Sequence, residues 1–286
     1  MKTYLECIPC FLNQALRAMD LTNQNPKVKR EVIKKIMRIL SKSKLDKNPP
    51  EYAKIVYDII EKETGSFDSY KKIKKRDNQH ALALLQDLKK LIKSSKEPLL
   101  TATKIAIAGN IMDLAAHPNY NVKETIEKVI KQNFAINNYN AFKKDIQKAK
   151  SIVYIGDNAG EIILDRLLIE QIREINKNKI YFFVKGKPIL NDATIEDAKK
   201  AGIDKISNVE IKKISTGFPN VGIERDSKEF IAFLKNQDIT ISKGQGNYES
   251  LSEIKANIYF LLIAKCSVIA KDLRIKTGQI ICKNNN

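Results

Sequence analysis

The chain has 286 residues, 43% of them hydrophobic, enough for one large domain or two ordinary ones with well-filled cores. It has no apolar run of membrane-spanning length and no signal-peptide pattern behind Lys2, so it reads as a cytoplasmic protein with no membrane partner. The formal net charge is +18 and lopsided, with 30 Lys and Arg against 16 Asp and Glu in residues 1–150.

In chain order, residues 7–20 read as a helix, with Pro9 in its first turn. It carries Cys7 and Cys10, a CxxC pair with no second ligand pair to complete a structural zinc site. Val28, Val32, Ile33, Ile36, Met37 and Leu40 place a helix over 27–41. Pro49-Pro50 breaks the chain, residues 51–63 resume helical spacing, and Gly65 is a stop signal. A long helix follows over 70–94, its exposed face taking the run Lys71-Lys72-Ile73-Lys74-Lys75-Arg76. That run has no interleaved aromatic residue to stack on bases, and only 8 of the 51 basic residues are arginine. A solvated lysine-rich surface therefore explains the charge better than nucleic-acid binding. Residues 99–116 are apolar and alanine-rich, interrupted by Gly109-Asn110.

No strand-like alternation precedes residue 150, which predicts a mainly helical domain over residues 1–148. Beyond it, residues 152–155, 180–184, 209–214, 238–242, 258–263 and 266–270 read as strands. Helices over 160–175, 194–202 and 227–235 alternate with them. This predicts a Rossmann-like three-layer α/β domain with a mostly parallel sheet over residues 149–286. Cys266 falls in an apolar run and reads as core, and the tail Asn284-Asn285-Asn286 reads as frayed.

The chemistry gathers at strand ends. Gly156-Asp157-Asn158-Ala159-Gly160-Glu161 is a strand-to-helix turn, the corner at which parallel sheets bind ligands. Its helix end offers free amides to an anion. An acid beside an anion site makes sense when a divalent cation lies between carboxylate and phosphate. Asp157 and Asn158 are oxygen donors suited to Mg²⁺ or Mn²⁺, although Asp157 could equally be a helix cap. Asn191-Asp192 follows the next strand, where Asp192 either approaches Asp157 or remains a loop acid. Thr194 with Asp197 forms a helix-start signature. Ser242-Lys243-Gly244-Gln245-Gly246-Asn247-Tyr248-Glu249 again follows a strand, and Lys243 could meet a phosphate. It is not a Walker A loop, because the lysine precedes the glycines. Asn110 and Asp113 share a face if helical.

Together these motifs, with the Cys7-Ile8-Pro9-Cys10 opening and Ala264-Lys265-Cys266, resemble the metal-dependent damage-control phosphatase family, long catalogued as domain of unknown function 89. The opening is similar to that of its CxxC-containing archaeal and bacterial branch. The resemblance implies a helical domain and a Rossmann-like domain with the active site between them. It implies one divalent metal ion (Mg²⁺ or Mn²⁺, with Co²⁺ or Ni²⁺ as further options) on Asp157, Asn158 and Asp192. It also implies a phosphorylated small-molecule substrate held by Lys243. Glu161, Gly160, Asn110, Asp113 and Gly244 would complete the pocket. The expected reaction is hydrolysis of phosphate monoesters by metal-assisted attack on phosphorus, in a monomer or homodimer. The alternatives are an S-adenosylmethionine-dependent carboxyl methyltransferase and a nucleic-acid-binding protein using the basic first half.

Overall fold

The computed structural model describes residues 1–110, 122–214 and 225–286. Its strands are β1 (Ile136–Asn137), β2 (Ser151–Ile155), β3 (Lys179–Lys185), β4 (Val209–Ile214), β5 (Ile239–Lys243), β6 (Ile258–Ile263) and β7 (Ile280–Asn284). They form one sheet in the order β1-β7-β6-β5-β2-β3-β4. Every neighbouring pair is parallel except β6 with β7. β-Branched and aromatic residues fill the central strands because both faces are covered.

Alternation along β2 separates two cores. Ile152 and Tyr154 join the helices of one face, while Val153 and Ile155 join those of the other. The first face carries α4 (Lys71–Ser94), α5 (Pro98–Gly109), α6 (Val122–Lys131), α7 (Tyr139–Lys148), α8 (Glu161–Ile175) and α9 (Ile195–Lys200). The second carries α10 (Arg225–Lys235), α11 (Gln245–Leu251) and α12 (Ser267–Asp272). Each Ile or Phe sealed in these layers contributes about 1.5–3 kcal/mol of burial.

A third core belongs to α1 (Cys7–Leu21), α2 (Pro26–Ser41) and α3 (Pro49–Thr64). Asn48 forms a capping box with Glu51, so Pro49 and Pro50 open α3 instead of breaking the chain before it. Gly65 ends that helix at φ +66°. Tyr70, Ile73 and Leu190 join this cap's core, while Ala81, Leu85, Leu88 and Ile92 of α4 lie in the first sheet core.

Four further expectations need correction. The two-residue β1 pairs with β7 and precedes residue 150; so short a strand has no alternation to read. Residues 267–272 are a helix, because a short apolar run does not distinguish a strand from a buried helix. The C-terminal asparagines are pinned: Asn284 N donates to Asn138 Oδ1 at 2.9 Å and Asn285 Nδ2 to Ile254 O at 2.6 Å. The lysine run does not all face solvent, since Lys74 is buried and ion-paired with Asp68 at 2.8 Å.

Candidate active site

The chain leaves β2 for β3 and β4 on one side, then returns to β5 on the other. The switch point between β2 and β5 opens a crevice at their carboxyl ends. The turn after β2 carries Asp157 and Asn158, and the loop after β3 carries Asp192. Two backbone bonds zip them together: Ala193 N to Asp157 O at 2.8 Å and Ala159 N to Asn191 O at 2.9 Å. Leu190 holds a positive φ of 49° just before this zip, a strained conformation for a bulky residue, and packs against the cap's core. Thr194 starts α9 through the expected box, its backbone N and Oγ1 both donating to Asp197 Oδ2 at 3.0 and 2.8 Å.

Behind the zip lies a buried charge network. Asp157 Oδ2 accepts from Asn110 Nδ2 at 2.9 Å and from Asn158 Nδ2 at 2.8 Å. Glu161 Oε2 accepts from the same two amides at 3.0 and 3.1 Å. Lys243 Nζ donates to Glu161 Oε1 at 2.7 Å, Asp165 Oδ1 at 2.8 Å and Ala106 O at 2.8 Å. Lys185 Nζ, also buried, stands 3.9 Å from Asp192 Oδ2. Among the described residues four buried carboxyl groups, Asp157, Glu161, Asp165 and Asp192, thus crowd around two buried lysines, Lys243 and Lys185, so acids outnumber bases in the network. The strain shows in the titration. Burial, then the charges of Glu161 and Asp192, hold the Asp157 carboxyl well above the usual range. Burial pushes Asp165 up to about 7 against the pull of Lys243, and lowers Lys185 to about 8 against Asp192 and Asp157.

A divalent cation fits this acid-rich site. Asp157, Asn158 and Asp192 present hard oxygen donors, and a dication would relieve the crowding of buried carboxyls beside them. Among the described residues no three His, Cys, Asp or Glu side chains form a metal cluster; the candidate set is two carboxylates and an amide. Asn158 spends its nitrogen on Asp157 and Glu161, and its Oδ1 accepts no hydrogen bond among the described residues.

The three candidate ligands line a cavity of about 370 Å³ between the sheet's edge and the cap. Cys7, Cys10 and Phe11 of α1 and Pro49 and Ala53 of α3 form one wall, and Lys265, Cys266 and Glu249 stand on the sheet side. Cys266 is half-buried: it packs against the second sheet core and also lines this cavity.

The other expected pocket residues sit behind the ligands. Lys243 was expected to hold phosphate, but it is fully buried and all three of its ammonium protons have acceptors. The helix end at Gly160 was expected to offer free amides to an anion; the amide of Gly160 itself donates to Asn78 Oδ1 at 2.7 Å. Glu161 and Asn110 are fully buried and orient Asp157 and Asn158. Gly244 begins α11 and packs directly on the Asp157 carboxylate; residues 245–251 are helical, not an open loop. Asp113 lies outside the described residues. Sequence reasoning passed over Lys185, Asp165 and Asn78, and named Lys265 within Ala264-Lys265-Cys266 without giving it a role. Asn78 did leave a signal, as a polar residue on the buried stripe Asn78, Ala81, Leu85, Leu88 and Ile92 of α4.

Fold and site together define a Rossmann-like α/β protein with an acidic, oxygen-rich pocket at its switch point and a helical cap above it. The domain model described as the damage-control phosphatase ARMT1-like domain matches residues 3–281. The chain belongs to this family. It is 34% identical to the damage-control phosphatase PH1575 of Pyrococcus horikoshii, covering 100% of this chain and 99% of that one. A damage-control phosphatase of Archaeoglobus fulgidus is 34% identical over 80% of this chain and 78% of its own. The crystal structure of PH1575, described as a DUF89 family protein, superposes with a TM-score of 0.90 at 31% identity over the whole of both chains. Family membership favours the phosphatase reading over the methyltransferase and nucleic-acid ones. No described helix is long and apolar enough to cross a membrane.

Proposed function

We propose that this chain is a divalent-metal-dependent phosphatase that hydrolyses phosphate monoesters of small metabolites in a house-cleaning role. The observation that carries the reading is the convergence of Asp157, Asn158 and Asp192 on one cavity through the zipped loops, beside buried carboxyls that outnumber the buried lysines. These three residues hold the cation, with Mg²⁺ or Mn²⁺ the best match to oxygen donors and Co²⁺ or Ni²⁺ as further options. When bound, the cation supplies Lewis-acid polarisation of a phosphoryl oxygen and a lowered pKa for a water ligand.

The chain's own groups do the rest. Lys265 is the exposed cation on the cavity wall and attracts Asp157 electrostatically, so it takes the phosphate role first expected of Lys243. Lys185 steadies Asp192 from behind. Asp157 Oδ2 is already fixed by two amides and by Gly244, which favours water over Asp157 as the nucleophile. Residues 149–286 supply the donors, and residues 1–148 cover them with the α1 and α3 wall and buttress them through Asn110.

The test is phosphate release from an aryl phosphate by metal-stripped protein, with Mg²⁺, Mn²⁺, Co²⁺ and Ni²⁺ restored singly. Release should depend on metal, vanish in Asp157→Ala and Asp192→Ala, and show a raised KM in Lys265→Ala. Full activity of either aspartate variant across a chelator-controlled metal titration would remove the ligand assignment.

A further inference from the structure

Asn78 is a buried amide on the sheet-facing stripe of α4, at a position where spacing calls for an apolar side chain. A buried amide is costly unless its polar atoms are bonded, and here both are. Asn78 Oδ1 accepts from Gly160 N at 2.7 Å, and Nδ2 donates to Asp197 Oδ1 at 2.8 Å. Gly160 closes the turn that carries Asp157 and Asn158. Asp197 is the far half of the box that fixes Thr194, two residues beyond Asp192. One side chain from the covering helices therefore spans both donor loops. The approach is close: a Cβ at Gly160 would lie 3.1 Å from both Cβ and O of Asp77, and Gly160 itself has φ +79°.

We infer that Asn78 is a positioning residue that sets the spacing between Asp157 with Asn158 and Asp192. Backbone bonds join residues 157–159 to 191–193, and the bonds from Gly156 N to Phe183 O at 3.0 Å and from Lys185 N to Ala193 O at 2.9 Å tie both loops to β3. Asn78 adds a side-chain tie beyond these bonds, to residue 160 after the first donors and residue 197 after the second, and so holds the two loops' outer ends to each other. The inference rests on the metal-binding reading above and adds a residue that touches neither metal nor substrate.

The test is direct Mn²⁺ binding to the full chain, read as loss of the free-ion electron paramagnetic resonance signal, with melting temperature measured in parallel. Asn78→Ala should weaken Mn²⁺ binding about tenfold or more, the scale of losing one charge-assisted hydrogen bond. Asn78→Asp keeps an acceptor for Gly160 N but sets a carboxylate against Asp197, and should also bind weakly. The exchange Asn78→Asp with Asp197→Asn reverses donor and acceptor, leaves an oxygen for Thr194, and should return affinity to within about threefold of wild type. A merely structural role would lower the melting temperature and leave affinity alone. If Asn78→Ala fails to fold, the comparison of Asn78→Asp with the exchange decides. Wild-type affinity in folded Asn78→Ala, or no recovery in the exchange, would overturn the inference while the metal reading stands. A wild-type chain that binds no Mn²⁺ would overturn both.

Discussion

Gly244→Ala probes the contact on which the candidate metal site is seated. A Cβ at this position would stand 1.9 Å from Asp157 Oδ2 and 2.4 Å from its Cγ. Ordinary contact is about 3.5 Å, so the carboxylate must retreat by roughly 1.5 Å. The retreat pulls against the Asn110 and Asn158 amides at 2.9 and 2.8 Å. The backbone adds its own cost, because φ +80° with ψ 161° is a region kept for glycine, at about 1–3 kcal/mol for another residue. A misplacement of about 1 Å at a reacting centre costs about a hundredfold, and activity should fall at least that far. Melting temperature should drop by about 2–4 °C for each kcal/mol of strain. Gly278→Ala is the control: its φ is +86°, but nothing lies within 4 Å of the added Cβ. It should share the thermal loss and keep full Mn²⁺ affinity in the same titration. If Gly244→Ala bound Mn²⁺ and turned over ester as well as Gly278→Ala does, the packing of Asp157 on Gly244 would have no bearing on the site.

Two further outcomes follow from the buried ion network. Lys243→Met strips Glu161 and Asp165 of their ammonium group and should destabilise the fold by about 3–5 kcal/mol in denaturant melts near neutral pH, and by less in acid where Asp165 takes up a proton. Asp165 has a folded pKa of about 7, above its unfolded value, so between about pH 4 and 7 the native state holds more protons and this group's contribution falls as pH rises. Asp165→Asn should remove that slope of at most about 1.4 kcal/mol per pH unit, gaining on wild type as pH climbs. Parallel stability-against-pH curves for the two proteins would contradict the assignment.

The sheet was largely legible because its central strands are short, β-branched and buried on both faces, as at Ile152–Ile155 and Ile258–Ile263. What could not be read were elements defined by a partner far away in the chain. Ile136–Asn137 is a strand only because Ile281 and Cys282 lie beside it. The convergence of Asp157, Asn158 and Asp192 was legible because strand ends converge in any parallel sheet. Their supports were not. Lys243 looks like a phosphate-binding point charge until Glu161, Asp165 and Ala106 are seen to occupy it, and those contacts span 78 to 137 residues. Lys185 is one lysine among many in this lysine-rich chain, and only its burial singles it out; Lys265 stood in the Ala264-Lys265-Cys266 motif, but only the cavity suggests a role for it.

Helix α4 runs for 24 residues, about 36 Å at the usual rise, with its first turns in the cap's core and its remainder in the sheet's core. In mechanical terms it is a beam built in at both ends, with the Asp157 turn bolted to it at Asn78. A load on the α1 and α3 wall, such as a bulky organic group pressing outward from the cavity, is carried along that beam to the turn. The core of the cap and the turn that carries the candidate donors are therefore linked through one helix.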